Sequence, residues 1–128
     1  PPAVPPDGGY PAARAAAERI ARLVPPDAPV SLAGVPAFKR ASAIGYPLVA
    51  GGRTVRELRA AAGDRLGPDV PVLVVVCDPL FEPAIGRPCG GPAEEAALAE
   101  LGGPAGYALR ERFSSGPRRT LSVYLRSP

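Results

Sequence analysis

The chain has 128 residues, a formal net charge of +3, two cysteines and no histidine, methionine or tryptophan. This length fits one domain, and the absence of histidine excludes Ser-His and Cys-His nucleophilic sites and most zinc sites. All but one of the 15 basic residues are arginines, Lys39 being the exception, and they are scattered along the sequence. Without a dense basic stripe we expect no nucleic-acid partner.

The N-terminal part of the chain changes from a Pro-rich segment to an amphipathic pattern. Residues 1–9 contain Pro-Pro-Ala-Val-Pro-Pro and predict a Pro-rich linker or domain edge, and residues 10–128 predict a single α/β domain. Small and aliphatic side chains then recur at helical spacing as far as Val24, which predicts an amphipathic helix over 11–24 with Arg14, Glu18 and Arg22 on its outer face.

The segment between this helix and residue 70 predicts short elements. From the apolar pattern we expect a strand over 29–35 and a short helix over 37–46. A turn or short edge strand follows over 47–52, and a second helix over 55–63. The helix over 55–63 is predicted from a capping box. In this motif the Thr54 hydroxyl accepts a hydrogen bond from a backbone N–H of the first turn, and the Glu57 carboxylate accepts one from the backbone N–H of Thr54.

The centre of the chain is the run Val72–Val76, which has no polar alternation. Such a run is typical of a strand buried on both faces of a parallel sheet. A helix begins at Pro92, with acidic residues in its first turn, and alternating patterns over 107–113 and 120–125 predict a C-terminal antiparallel hairpin. The predicted fold class is α/β (α+β mixed), with a mixed four-stranded sheet and packed helices.

The two cysteines, Cys77 and Cys89, lie at the end of the central strand and just before the following helix. Their spacing is not the Cys-x-x-Cys pattern of thiol redox enzymes, and two cysteines without histidine are too few for a zinc site. We predict a disulfide that closes the intervening loop and indicates an oxidising compartment. Two separate buried thiols are the alternative, and a catalytic cysteine is disfavoured because no histidine base accompanies either residue.

Asp78 follows the central strand, at the position where open α/β sheets collect ligand-binding groups. Glu82 and Arg87 lie in the same loop, so these three residues are the candidate ligand-binding set. The alternative for Asp78 is a turn in which its side chain binds its own backbone. Gly90-Gly91 before the helix could present backbone N–H groups to an anion, although a plain helix start is the simpler interpretation. We predict no catalytic residue, no metal site and no cofactor.

Three stretches together resemble a known class of protein. Val72–Phe81, Gly86–Glu95 and Phe113–Leu125 resemble the soluble C-terminal extracytoplasmic domain of actinobacterial polytopic membrane glycosyltransferases. These enzymes use a polyprenyl-phosphate sugar donor and are similar to dolichyl-phosphate-mannose–protein mannosyltransferases. The resemblance covers most of residues 10–126 and implies that the catalytic acids lie in a membrane portion outside this chain.

The resemblance therefore implies a non-catalytic, accessory domain on the extracytoplasmic face of the cell membrane. Its expected partners are the membrane-embedded portion of the same polypeptide and a glycan or lipid-linked sugar. Two other hypotheses remain open at this point. One is a free-standing small α/β enzyme, or a binder of sugar phosphates or nucleotides, that uses the crevice beside Asp78. The other is a secreted protein-interaction domain that uses the loop from Pro79 to Pro92.

Overall fold

The computed structural model describes residues 9–36, 41–78, 89–116 and 119–128. The described elements follow one another in chain order as α1 (Gly9–Leu23), β1 (Val30–Val35), α2 (Ser42–Ala50), β2 (Val55–Glu57), a 3₁₀ turn (Ala60–Ala62), β3 (Val72–Cys77), α3 (Pro92–Glu100), β4 (Tyr107–Ser115) and β5 (Arg119–Arg126). None of the helices within these ranges has the length and apolar character that a membrane span requires.

The strands form one mixed sheet in the order β2-β1-β3-β5-β4. β1 pairs in parallel with β2 and with β3, whereas β5 runs antiparallel to β3 and to β4. The predicted parallel pairing and the C-terminal hairpin are therefore confirmed, as is the α/β class. The prediction of four strands is wrong, because β2 brings the sheet to five strands within the described residues.

β2 replaces the helix predicted over 55–63. The capping-box pattern is present, but Val55–Glu57 form a strand and only Ala60–Ala62 turn as a 3₁₀ helix. β1 explains the outcome, since its outer edge would otherwise leave backbone groups unpaired, and hydrogen bonds such as Leu58 N–H to Leu32 O join the two segments. The Glu57 carboxylate accepts a hydrogen bond from Ala41 N at 2.8 Å instead of returning to Thr54.

Helix α2 also lies later in the chain than predicted. It begins at Ser42 and continues through Pro47 to Ala50, so most of the segment predicted as a turn or edge strand is helical. Residues 37–40, where the predicted short helix would begin, lie outside the described residues. Ile44 and Leu48 are fully buried against the sheet, and this packing outweighs the low helix propensity of Gly45 and Pro47.

Helices cover both faces of the sheet. On one face α1 and α2 pack against the inward side chains of β1, β3 and β5. On the other face, α3 and the segment between β2 and β3 cover a second cluster that includes Leu73, Val75 and both cysteines. Val72–Cys77 is buried along its whole length, as predicted for a central strand between two helical layers. Because β1 and β3 are parallel neighbours, their carboxyl ends lie side by side at one edge of the sheet, with Val35 opposite Cys77.

Candidate functional site

The carboxyl edge of the sheet carries the predicted pair of cysteines. Cys77 ends β3, and Cys89 lies three residues before α3. Their sulfurs are bonded to each other, with Cα atoms 5.5 Å apart, and both residues are buried. The predicted disulfide is therefore present in the structure. The backbone N–H of Cys89 also donates to Thr120 Oγ1 at 3.1 Å, so the turn before α3 is attached to β5 as well as to β3.

The three predicted ligand-binding residues have different outcomes. Asp78 lies at the carboxyl edge as expected, 9% exposed, and its backbone N–H donates to Val35 O at 2.9 Å. Glu82 and Arg87 lie outside the described residues. A ligand-binding role for this set therefore stays a prediction.

Glu94, in the first turn of α3, is a buried acidic side chain that lies over the β4–β5 hairpin. It is 1% exposed, which is unusual for a carboxylate. Its Oε2 atom accepts hydrogen bonds from Gly90 N–H and from Ser122 Oγ at 3.1 Å, and its Oε1 atom accepts one from Tyr124 Oη. The Arg112 guanidinium approaches Oε2 at 3.4 Å. We call these five residues the Glu94 network.

The Glu94 network is built by three elements. Arg112 on β4 and Ser122 on β5 are directly opposite each other in the antiparallel register, and Arg112 Nε donates to Ser122 Oγ at 2.8 Å. Glu94 reaches them from α3 because it is the third helical residue after the N-cap Gly91. An acid at this position usually returns to the N-cap backbone, and here it binds the preceding Gly90 N–H instead. The network therefore fixes the turn that also holds Cys89.

Sequence reasoning placed Glu94 and Glu95 in a helix first turn without distinguishing them. The structure buries Glu94 and leaves Glu95 exposed. The one sequence feature that distinguishes Glu94 is its position three residues after Gly91, in the segment that follows Cys89. Nothing in the local pattern indicates that Arg112, Ser122 and Tyr124, on the polar face of the hairpin, meet this acid.

The disulfide and Glu94 together do not make an active metal or acid–base centre. The two sulfurs and a Glu94 oxygen lie within 4.8 Å of one another. The sulfurs are bonded to each other and are not thiolates, which are the form that binds metals. Both Glu94 oxygens already accept hydrogen bonds from protein donors, as described above. The arrangement holds the turn before α3 in place.

The Glu94 network changes the pKa of Tyr124. Burial, followed by the hydrogen bond to the Glu94 carboxylate, raises the pKa of Tyr124 to about 12. A folded-state pKa above the unfolded value of about 10 means that the native state retains a proton that the unfolded chain loses. The stability that the folded protein gains from keeping the Tyr124 proton is fully present below pH 10 and is lost as the pH rises through 12.

We therefore expect the ultraviolet absorbance titration of the folded protein to show a tyrosine ionisation step near pH 12 that belongs to Tyr124. The Tyr124→Phe variant should lose this high-pH step, and its free energy of unfolding should fall by about 1.5 kcal/mol at neutral pH, because a hydrogen bond to a charged acceptor is removed. Tyr46→Phe, at an exposed hydroxyl, is the control and should leave both quantities unchanged. A high-pH step that persists in Tyr124→Phe would contradict the assignment.

Gly90 is required by the close approach of Arg112. It adopts φ +92°, and a Cβ atom at this position would lie 3.2 Å from Arg112 Cζ. Gly90→Ala should therefore cost both the strain of a positive φ and a displacement of the guanidinium, about 2 kcal/mol in total. Gly63 has φ +90° and open space around its Cα, so Gly63→Ala measures the strain alone. Equal destabilisation of the two variants in urea unfolding would show that Arg112 does not constrain Gly90.

Comparison with known proteins does not identify the chain. No protein-family model, no curated protein and no solved structure matches it.

Proposed function

We propose that the chain is a non-catalytic extracytoplasmic domain of a larger membrane glycosyltransferase of the cell envelope, with an accessory role in contacting acceptor or glycan. The observation that carries the extracytoplasmic part is the buried Cys77–Cys89 disulfide, because disulfides persist in oxidising compartments and are rare in reducing ones. The glycosyltransferase part rests on the sequence resemblance of Val72–Phe81, Gly86–Glu95 and Phe113–Leu125.

The chemistry of the described side chains supports a non-catalytic role. The sequence has no histidine, and the two cysteines are consumed by the disulfide. The buried carboxylate of Glu94 is surrounded by donors from its own protein. A general base must be able to reach a substrate proton, and Glu94 is 1% exposed. Its geometry favours a structural role.

The location can be tested in cells that carry the gene. An epitope-tagged chain should be digested by protease added to intact spheroplasts, and its cysteines should resist alkylation until a reductant is added. A cytoplasmic protein of known location provides the control for membrane integrity. Protection from protease together with freely alkylated cysteines would contradict the extracytoplasmic assignment.

The absence of catalysis can be tested with the isolated chain. Incubated with a polyprenyl-phosphate sugar and a peptide acceptor, it should transfer no sugar, and its melting temperature should not change with nucleotides or sugar phosphates. A specific melting shift that disappears in Asp78→Asn would instead support the small enzyme or binder that uses the crevice beside Asp78.

A further inference from the structure

Three buried side chains near the carboxyl end of β3 bring metal-ligand atoms together. The sulfurs of Cys77 and Cys89 and one carboxylate oxygen of Glu94 all lie within 4.8 Å of one another. All three residues are buried. In the oxidised protein the sulfurs are bonded to each other and are not available to a metal. Reduction of the disulfide turns them into two thiols, whose thiolate forms are preferred ligands of zinc.

Glu94 supplies a third ligand that the sequence did not reveal. The prediction of no metal site rested on the count of cysteines and histidines, because two cysteines alone are too few for zinc. A carboxylate oxygen also coordinates zinc. Two thiolates and one carboxylate leave the fourth tetrahedral position to water, as in zinc sites that have three protein ligands.

The distances between the ligand atoms suit a zinc ion once the sulfurs separate. Zinc lies about 2.3 Å from sulfur and about 2.0 Å from oxygen, so its tetrahedral ligands lie roughly 3.5–4 Å apart. The Glu94 oxygen is within 4.8 Å of both sulfurs. Each sulfur is carried on one rotatable Cα–Cβ bond, and the Cα atoms of Cys77 and Cys89 are 5.5 Å apart. Side-chain rotation therefore opens the sulfurs without a shift of β3.

Hydrogen bonds from neighbouring residues orient the Glu94 carboxylate. Its Oε2 atom accepts from Gly90 N–H and Ser122 Oγ, and its Oε1 atom accepts from Tyr124 Oη. Carboxylates that bind metals are commonly held by such outer hydrogen bonds. Each carboxylate oxygen has two lone pairs, so Oε1 keeps one for a metal beside its bond from Tyr124.

The charges of the metal-bound form balance. Two thiolates and the Glu94 carboxylate carry three negative charges, and a divalent ion reduces these to one. The Arg112 guanidinium, 3.4 Å from Glu94 Oε2, offsets the last. Because buried charge is costly unless opposite charge compensates it, the site favours a divalent over a monovalent cation.

We propose that Cys77, Cys89 and Glu94 form a zinc site in the reduced chain, so that the metal and the disulfide are alternative means of holding the turn before α3. A phosphine reductant breaks the S–S bond by supplying two electrons. It takes the oxygen atom of a water molecule and becomes a phosphine oxide, and the two water protons go to the sulfurs. Zinc then displaces these two protons to solvent. The proposal does not depend on the glycosyltransferase assignment.

Cobalt(II) is the probe for this site, because its absorption spectrum reports both thiolate coordination and tetrahedral geometry. The chain is reduced with the phosphine in urea, diluted into buffer under argon and titrated with cobalt. The reduced wild type should bind one equivalent, with a thiolate-to-cobalt charge-transfer band that zinc then removes. The oxidised wild type should show no such band. Circular dichroism before and after addition of the metal reports folding.

Variants at positions 94, 95 and 122 test the role of the carboxylate. Ser122→Ala removes an outer hydrogen bond, so it should keep the spectrum and weaken cobalt binding by roughly tenfold. Glu94→Gln replaces the ligand itself and should weaken binding by more than this. Glu95 is exposed in the same helical turn, so Glu95→Gln is the matched control and should bind cobalt as the wild type does.

A reduced wild type without the charge-transfer band would overturn the zinc site. Equal affinities of Glu94→Gln and the wild type would overturn it too, because two thiols alone would then account for the binding. A reduced chain that folds only after the metal is added would support the site, since metal binding then supplies free energy of folding.

Discussion

Replacing Glu94 with alanine should lower the free energy of unfolding by about 3 kcal/mol, one of the two largest effects expected in this protein. The substitution removes the acceptor for the hydrogen bonds of Gly90, Ser122 and Tyr124 and the partner of Arg112. Unpaired buried donors keep their full desolvation cost. The Arg112 side chain is 34% exposed and can turn to water, which limits the penalty.

Urea unfolding of Glu94→Ala, Glu94→Gln and Glu95→Ala would check this expectation. Glu94→Gln retains one acceptor oxygen and should lose less, about 2 kcal/mol, because hydrogen bonds to the charged form are stronger than those to an amide. Glu95 is exposed in the same helical turn, so Glu95→Ala should change stability by no more than about 0.5 kcal/mol. Similar values for positions 94 and 95 would mean that the Glu94 network contributes little.

Removal of the disulfide should have an effect of similar size. The bond joins residues 12 positions apart, and in the chain-entropy model closure of a loop of this length contributes about 3 kcal/mol by restricting the unfolded chain. The double variant Cys77→Ala/Cys89→Ala should therefore melt on the order of 10 °C below the oxidised wild type. The reduced wild type, which keeps both side-chain volumes, separates the loss of the bond from the loss of packing.

The disulfide and the Glu94 network hold neighbouring residues, so the effects of removing them are expected to be coupled. The turn at Cys89 is also attached through its N–H to Thr120 and through Gly90 to Glu94. The disulfide and the Glu94 network thus hold the same turn, and their removal should not be additive. A triple variant that also carries Glu94→Ala should lose less than the two separate losses combined. Strict additivity would show that the two features stabilise different parts of the protein.

The elements that were correctly predicted have a local cause in the sequence. Val72–Cys77 is apolar at every position, and such a run is typical of a strand that is buried on both faces between two helical layers. The alternation in the C-terminal segments, together with the turn residues between them, predicts the β4–β5 pair. The cysteine pairing follows from there being only two cysteines, at the ends of one loop.

The elements that were wrongly predicted were decided by long-range pairing. Thr54 to Glu57 have the residue types of a helix start, but the open edge of β1 offers backbone hydrogen bonds that a three-residue segment can satisfy as a strand. Residues 47–50 have turn-forming residues before and after them, yet Leu48 completes the helix because it fills the core against α1. In both cases the deciding partner lies far away in the sequence.

The same distinction applies to the site. Spacing and residue type favour the disulfide, because two cysteines at the ends of one short loop can reach each other. The structure decides against two separate thiols by bringing their Cα atoms to 5.5 Å. The burial of Glu94 is different, because its four partners come from the turn at Gly90 and from two later strands. Only the packing of α3 on the β4–β5 hairpin brings these donors around one carboxylate and separates Glu94 from its exposed neighbour Glu95.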